Sequence, residues 1–147
     1  MPERETIERA REDKREGKSP STQAGEFVRE EIHHIREGKH GATSTKQAIA
    51  IGLSKARRAG VELPVTKGAS KNARTQAKRD TAKGRKRGTK VSSTRSRAVR
   101  TALKKEGHSA ASRSALSKQA KASARKRSPS ARSASAKKAA RTRARNS

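Results

Sequence analysis

Residues 19–63 read SPSTQAGEFVREEIHHIREGKHGATSTKQAIAIGLSKARRAGVEL, and they carry the clearest amphipathic order of the chain. Apolar residues, Val28 and Ile32 among them, recur at helical spacing through the first half of this stretch. The Ser-Pro-Ser-Thr segment in front of them offers capping side chains, and we expect Ser21 or Thr22 at the N-cap. The pattern predicts an amphipathic helix that ends at the first glycine of the Glu-Gly-Lys-His-Gly segment.

A second helix is predicted to begin at Ser44, which has the spacing of a capping box with Gln47. Its apolar stripe contains small residues, such as Gly52 and Ala56, that allow a partner helix to approach closely. Two helices with a short link form a helical hairpin. A hairpin of about 45 residues is small for an independent core, so we expect marginal stability or a homodimer through residues 19–63.

Charge divides the chain into three parts. Residues 1–18 form a charged N-terminal segment that we expect to be a frayed, solvated helix, and residues 19–63 form the hairpin. Residues 64–147 form a basic low-complexity tail with 27 Lys and Arg against only two acids, Asp80 and Glu106. The tail carries a net charge of +25 of the chain's +27, and such an asymmetry indicates a polyanionic partner.

Composition argues against one ordinary globular domain of 147 residues. Hydrophobic residues make up 28% of the chain, Phe27 is the only aromatic residue, and there is no cysteine. So little apolar surface cannot offset the chain entropy over the full length. The predicted fold class is therefore mainly α and disordered, with a short helical hairpin head and a long, basic, largely disordered or transiently helical tail.

The tail also shows a loose repeat of roughly 20 residues, in which Ala, Ser and Thr segments end in a basic cluster. Such a tail can bind duplex DNA through its phosphates without fixed geometry. The expected contacts are the basic side chains of the clusters and of the segments between them: Lys83, Arg85, Lys86, Arg87, Lys90, Arg95, Arg97, Arg100, Lys104, Lys105, Arg113, Lys118, Lys121, Arg125, Lys126, Arg127, Arg132, Lys137, Lys138, Arg141, Arg143 and Arg145.

Histidines are the only candidates for a metal site, and we predict none. His33, His34 and His40 stand near Glu30 and Glu37, but a metal needs three or four converging ligands. Because His40 lies on a glycine-flanked loop with nothing to fix it, we expect solvated or interfacial histidines. No cofactor is expected. The chain lacks a phosphate loop, a nucleophile elbow and a metal-ligand cluster, so we expect no enzyme activity.

The stretch KSPSTQAGEFVREEIHHIREGKHG, with STKQAIAIGLSKARRAGV after it, resembles a family of small basic bacterial proteins classed as a domain of unknown function. The tail stretch LKKEGHSAASRSALSKQA at residues 103–120 is also similar to this family. The resemblance implies a short helical head and a histone-like tail rich in Lys, Arg, Ala and Ser. It implies no catalytic residue.

These observations predict a histone-like, nucleoid-associated protein that binds double-stranded DNA through non-specific phosphate contacts. An RNA-binding or ribosome-associated basic protein is the first alternative, and a small protein-interaction module is the second. No apolar run long enough for a membrane span and no signal peptide is present, so we expect a cytoplasmic, nucleoid location without membrane contact.

Overall fold

The computed structural model describes residues 1–86 and 90–147, and this part of the chain is mainly α, as predicted. Seven α-helices and one short 3-10 helix are found within it, with these bounds: α1 Arg4–Arg15, α2 Pro20–Arg36, α3 Thr45–Arg58, α4 Lys71–Arg85, α5 Ser93–Lys104, the 3-10 helix Ser109–Ala111, α6 Arg113–Arg125 and α7 Pro129–Arg145. The prediction of a largely disordered tail is wrong, because four of the α-helices and the 3-10 helix lie beyond residue 64.

Helices α2 and α3 pack against each other along the predicted stripes. A Cβ atom on Gly52 would lie only 2.7 Å from the Cα of Val28, so the absence of a side chain sets the distance between the helices. Ser44 caps α3 and accepts from the amide of Gln47 at 3.2 Å. The cap of α2 is Ser19, not Ser21 or Thr22. The reason is that Pro at the first helical position has a suitable φ and no N–H to satisfy.

Helix α1 is not the solvated element that its charge suggests. It packs on α2, where Thr6 and Ala10 are buried and Ile7 adjoins the same apolar cluster. The turn that follows contains Gly17 at a φ of 73°, and the Lys18 ammonium bonds Asp13 at 2.8 Å across it. Small buried residues, a tight turn and the bond from Arg9 to Glu26 of α2 at 2.7 Å therefore dock a highly charged helix.

Helix α4 docks on α3 through a buried carboxylate. Asp80 is 1% exposed and accepts from the Ser54 hydroxyl at 2.7 Å and from Arg58 Nε at 2.8 Å. One turn further along α4, a Cβ on Gly84 would overlap the carbonyl oxygen of Arg57. The contact between these helices thus depends on one acid and one glycine rather than on large apolar side chains.

The segment between α5 and α6 docks on the other end of the hairpin. The amide of Gly41 donates to the carbonyl of Leu103 at 2.8 Å, and a Cβ on Gly41 would overlap the carbonyl oxygen of Glu106. The carbonyls of Ala110 and Ala111 accept from the Thr45 hydroxyl at 2.7 Å and from Arg36 Nε at 2.8 Å, respectively. Tail backbone therefore completes the hydrogen bonding of the hairpin loop.

Two small apolar clusters result from these contacts. The first joins buried residues of α2 and α3 to the 3-10 helix and has Leu116 of α6 against it. The second joins α1 to the hairpin around Phe27 and includes Ala10 and Val61. Head and tail share the first cluster, so the tail contributes to the fold.

The outer helices α5, α6 and α7 bury no side chain of their own. Their first turns are closed by serine N-caps, and Ser128 accepts from the amide of Ala131 at 3.2 Å. The accessible surface is 11089 Å², whereas a compact protein of this mass exposes about 7,400 Å². The helices are therefore spread out rather than gathered around one core.

Candidate nucleic-acid interface

The predicted phosphate-contacting residues are exposed wherever the structure describes them. All 21 described members of that set, from Lys83 to Arg145, have largely accessible surfaces. Arg87 lies outside the described residues. Sixteen of them stand on the four helices α4 to α7, and the other five lie between these helices; α4 and α6 both pack on α3. The predicted residues on α4 and α6 are thus held on two helices that contact the same helix, α3.

The predicted set omits five basic residues that are equally exposed. All five precede the first basic cluster, in the segment before α4 and on α4 itself: Lys67, Lys71, Arg74, Lys78 and Arg79. Their positive charge could have identified them from the sequence, because they lie in the same strongly cationic tail as the predicted set. The candidate interface therefore begins at residue 67 rather than at residue 83.

Within the described residues, some basic residues of the head form ion pairs and those of the tail form none. Lys18 bonds both Asp13 and Glu16, and Lys39 bonds Glu37. The hydrogen bond to Asp13, followed by that to Glu16, raises the pKa of Lys18 above its ordinary value. In contrast, within residues 64–86 and 90–147 no Lys or Arg has a carboxylate oxygen within 4.0 Å. The described tail cations are therefore not neutralised by the protein.

The burial of Asp80 adds to this difference between head and tail. Asp80 is one of two acids in the tail, and its carboxylate is buried against Arg58 of α3. An acid that lies inside a helix contact does not oppose cations at the surface. The charge presented to solvent by α4 is accordingly more positive than its sequence suggests.

The cations of α7 do not form a single stripe. The helix carries six of them over 17 residues, and it has no buried face. At 1.5 Å per residue it is about 25 Å long. A polyanion can therefore contact α7 from several directions, which suits the phosphate backbone better than a groove that must be read in one orientation.

No Phe, Tyr or Trp ring is available for base stacking. Phe27 is the only aromatic residue of the chain, and it is 1% exposed within the second apolar cluster. Proteins that bind single strands commonly stack bases on exposed aromatic rings. The surface can supply charge and hydrogen-bond donors, but it cannot supply such a platform.

Helix α3 does not present the arrangement of a recognition helix. Lys46 and Gln47 lie at its start, where the Gln47 side chain accepts from the amide of Thr43 at 2.6 Å. At its other end, Arg58 bonds Asp80 of α4 and Lys55 bonds Glu31 of α2. A base-reading helix needs free side chains near its N-terminal end. This geometry favours a packing role for α3.

Comparison with protein families finds one match in the hairpin region. Residues 13–67 match a family of unknown function (DUF6496), and this stretch includes α2 and α3. The comparisons with curated proteins and with solved structures found no match. Within the described residues, no helix combines the length and the apolar character that a bilayer span requires.

Proposed function

We propose that this protein binds duplex DNA through non-specific contacts to the phosphate backbone and acts as a histone-like, nucleoid-associated protein. One observation carries the proposal: the described Lys and Arg of residues 64–147 are exposed and unpaired, while several head bases are held in ion pairs. Cations that the protein does not neutralise attract a polyanion most strongly.

The tail charge is of the right size for such binding. Duplex DNA carries one negative charge per ~1.7 Å, so a net +25 matches about 43 Å of helix axis, or roughly 12–13 base pairs. The lack of an exposed Phe, Tyr or Trp ring favours a duplex over a single strand. Structured RNA offers the same phosphates and is an outcome that the experiment separates.

Salt dependence tests the mechanism directly. If binding releases counterions, log affinity falls linearly with log salt, with a slope of about −0.9 per phosphate neutralised. We expect the affinity to drop about 10³–10⁵-fold between 50 and 200 mM salt when roughly 6–10 phosphates are engaged. Fluorescence anisotropy on two unrelated duplexes of equal length measures the slope, and unlabelled structured RNA serves as competitor.

Two triple variants with the same charge loss locate the contacts. In the first, Arg95, Arg97 and Arg100 of α5, which are exposed, are changed to Gln. In the second, the paired bases Arg9, Lys18 and Lys39 are changed to Gln. The first variant is expected to lower the slope by up to about three units, and the second by less than about one unit.

Three results would contradict the proposal. Equal slope changes in the two triple variants would mean that total charge, not the tail surface, determines binding. A shallow slope with strong discrimination between the duplexes would indicate a sequence-specific reader. Complete displacement by structured RNA at equal concentration would favour the ribosome-associated alternative. Light scattering of the free protein additionally tests the homodimer predicted through residues 19–63.

A further inference from the structure

A buried polar cluster lies between α2 and the loop that leads to α3. One potential ligand atom from each of Glu31, His34 and His40 lies within 4.8 Å of the other two. The side chains are enclosed: Glu31 is 1% exposed, His34 is 12% exposed and His40 is 15% exposed. The proposed DNA-binding function uses none of these groups.

One carboxylate oxygen of Glu31 accepts a hydrogen bond, and the other does not. Its Oε2 accepts from Lys55 Nζ at 2.6 Å. Its Oε1 is buried without a hydrogen bond and lies 3.2 Å from His40 Nε2. A buried carboxylate oxygen without a donor is costly, so this atom requires a cation or a proton donor.

The hydrogen bonds of the two histidines fix which nitrogen of each ring is free. His40 Nδ1 lies 3.0 Å from the carbonyl oxygen of Gly41, and because that oxygen can only accept, Nδ1 carries the hydrogen. The nitrogen that remains to bind a metal is Nε2, which faces Glu31. In the same way, His34 Nε2 donates to a carboxylate oxygen of Glu3 at 2.9 Å. Its Nδ1 can then ligate without breaking that bond.

These bonds are of the kind that orients metal-binding histidines. Such residues almost always donate their second ring nitrogen to a carboxylate or a backbone carbonyl. Here Glu3 and the carbonyl of Gly41 provide those two acceptors. The expectation that nothing fixes His40 on its glycine-flanked loop is therefore wrong, since its ring is bonded at Nδ1 and packed against Glu31.

The local charge also calls for a cation. Glu30 and Glu31 are both buried, and among residues 1–86 and 90–147 Lys55 is the single ammonium within 4.0 Å of them, at 3.7 and 2.6 Å. Two carboxylates and one ammonium leave one negative charge. The distance of 3.2 Å between Glu31 Oε1 and His40 Nε2 is close to the edge of a tetrahedral zinc site, which is about 3.3 Å for bonds of ~2.0 Å.

We propose that Glu31, His34 and His40 form a site for a divalent transition metal, with Zn²⁺ as the ion that the two imidazoles and one carboxylate fit best. Three protein ligands of this kind leave a fourth position for water or another ligand. Binding draws the His34 ring nitrogen toward the other two ligand atoms. It joins α2 to the loop before α3.

The experiment uses the full chain, freed of metal with a chelator, and two matched variants. Calorimetric titration with ZnCl₂ measures stoichiometry and affinity, and the visible absorption of Co²⁺ reports tetrahedral geometry. His40→Gln removes a proposed ligand. His33→Gln is the control. His33 lies on α2 next to His34, but its side chain is exposed and pairs with Glu37 outside the cluster. Circular dichroism checks that each variant keeps its helices.

We expect one Zn²⁺ per chain, a melting temperature that rises with zinc, and an affinity at least tenfold lower in His40→Gln than in His33→Gln. His34→Gln should behave like His40→Gln. Absence of one-to-one binding would overturn the proposal. Equal losses in His40→Gln and His33→Gln would also overturn it, because they would indicate non-specific binding by exposed histidines.

Discussion

The contact between α2 and α3 makes a specific prediction about two glycines. Gly52 lies inside α3, where a Cβ would meet the Cα of Val28 at 2.7 Å. Gly25 lies inside α2, where a Cβ would meet nothing within 4 Å. The same substitution, Gly→Ala, is therefore expected to change stability in opposite directions at the two positions.

The magnitudes follow from two opposing effects. Alanine in a helix interior gains about 1 kcal/mol over glycine. Non-bonded carbon atoms pack at about 3.5–4.0 Å, so Gly52→Ala must move the helices apart by roughly 1 Å. Because backbone cannot rotate away, the cost of overpacking is near the upper end of its range, about 3 kcal/mol. Gly52→Ala should then lose about 2 kcal/mol in net stability, whereas Gly25→Ala should gain about 1 kcal/mol.

Urea unfolding followed by far-ultraviolet circular dichroism measures both variants. In a thermal unfolding experiment on a chain of this size, a loss of 2 kcal/mol lowers the melting temperature by about 4–8 °C. Equal m-values in the two variants would show that stability, rather than the unfolded state, has changed. If Gly52→Ala proved as stable as the parent chain, or if both variants moved in the same direction, the close approach of α2 and α3 would be refuted.

Three further predictions concern the tail contacts and the core. Asp80→Ala should destabilise the protein by about 1–3 kcal/mol in urea unfolding, because three donors lose their buried acceptor. Gly41→Ala should speed amide exchange around the hairpin loop, because its Cβ displaces the tail carbonyls. Gly107→Ala, with nothing within 4 Å, should leave exchange unchanged. Ile35→Ala, at a fully buried position, should cost about 2–5 kcal/mol, and Leu53→Ala, only partly buried, should cost less.

Periodicity was sufficient to predict the hairpin. Val28 and Ile32 mark one face of α2, and Gly52 lies where a small residue was expected at the helix contact. The basic clusters of the tail also coincide with helix ends, since α4 stops at Arg85 and α6 at Arg125. Local signals of this kind can be recognised in the sequence because the residues that produce them are neighbours along the chain.

Docking of the tail could not be predicted in the same way. A count of large apolar residues measures the potential for a core, but the tail docks through alanine, glycine and backbone carbonyls. Ala111 offers its carbonyl to Arg36, and Gly41 leaves room for the carbonyl of Glu106. Neither contact has a sequence pattern, because the partners stand more than 60 residues apart. The expectation of disorder failed for this reason.

The serines of the tail could have predicted where its helices begin. Residues that suggested low complexity are N-caps: Ser70, Ser92, Ser112 and Ser128 each accept from the amide three residues ahead. A side-chain cap contributes about 1 kcal/mol to a helix. Each such serine stands before an alanine-rich or arginine-rich segment of high helix propensity, so caps and propensity together predict these helices.

The spacing of charges explains why a phosphate-binding surface of this type needs several helices. Helix α7 carries six cations over about 25 Å, while the same length of duplex carries about 15 phosphates. One helix can therefore neutralise fewer than half of the phosphates along its own length. In the proposed complex, cations on α4, α5 and α6 add to those of α7, and helices that are formed before binding avoid an ordering cost of about 1–2 kcal/mol per residue. The structural role of the tail and its proposed binding role are thus compatible, because docking uses glycine, alanine and Asp80 and leaves the cations free.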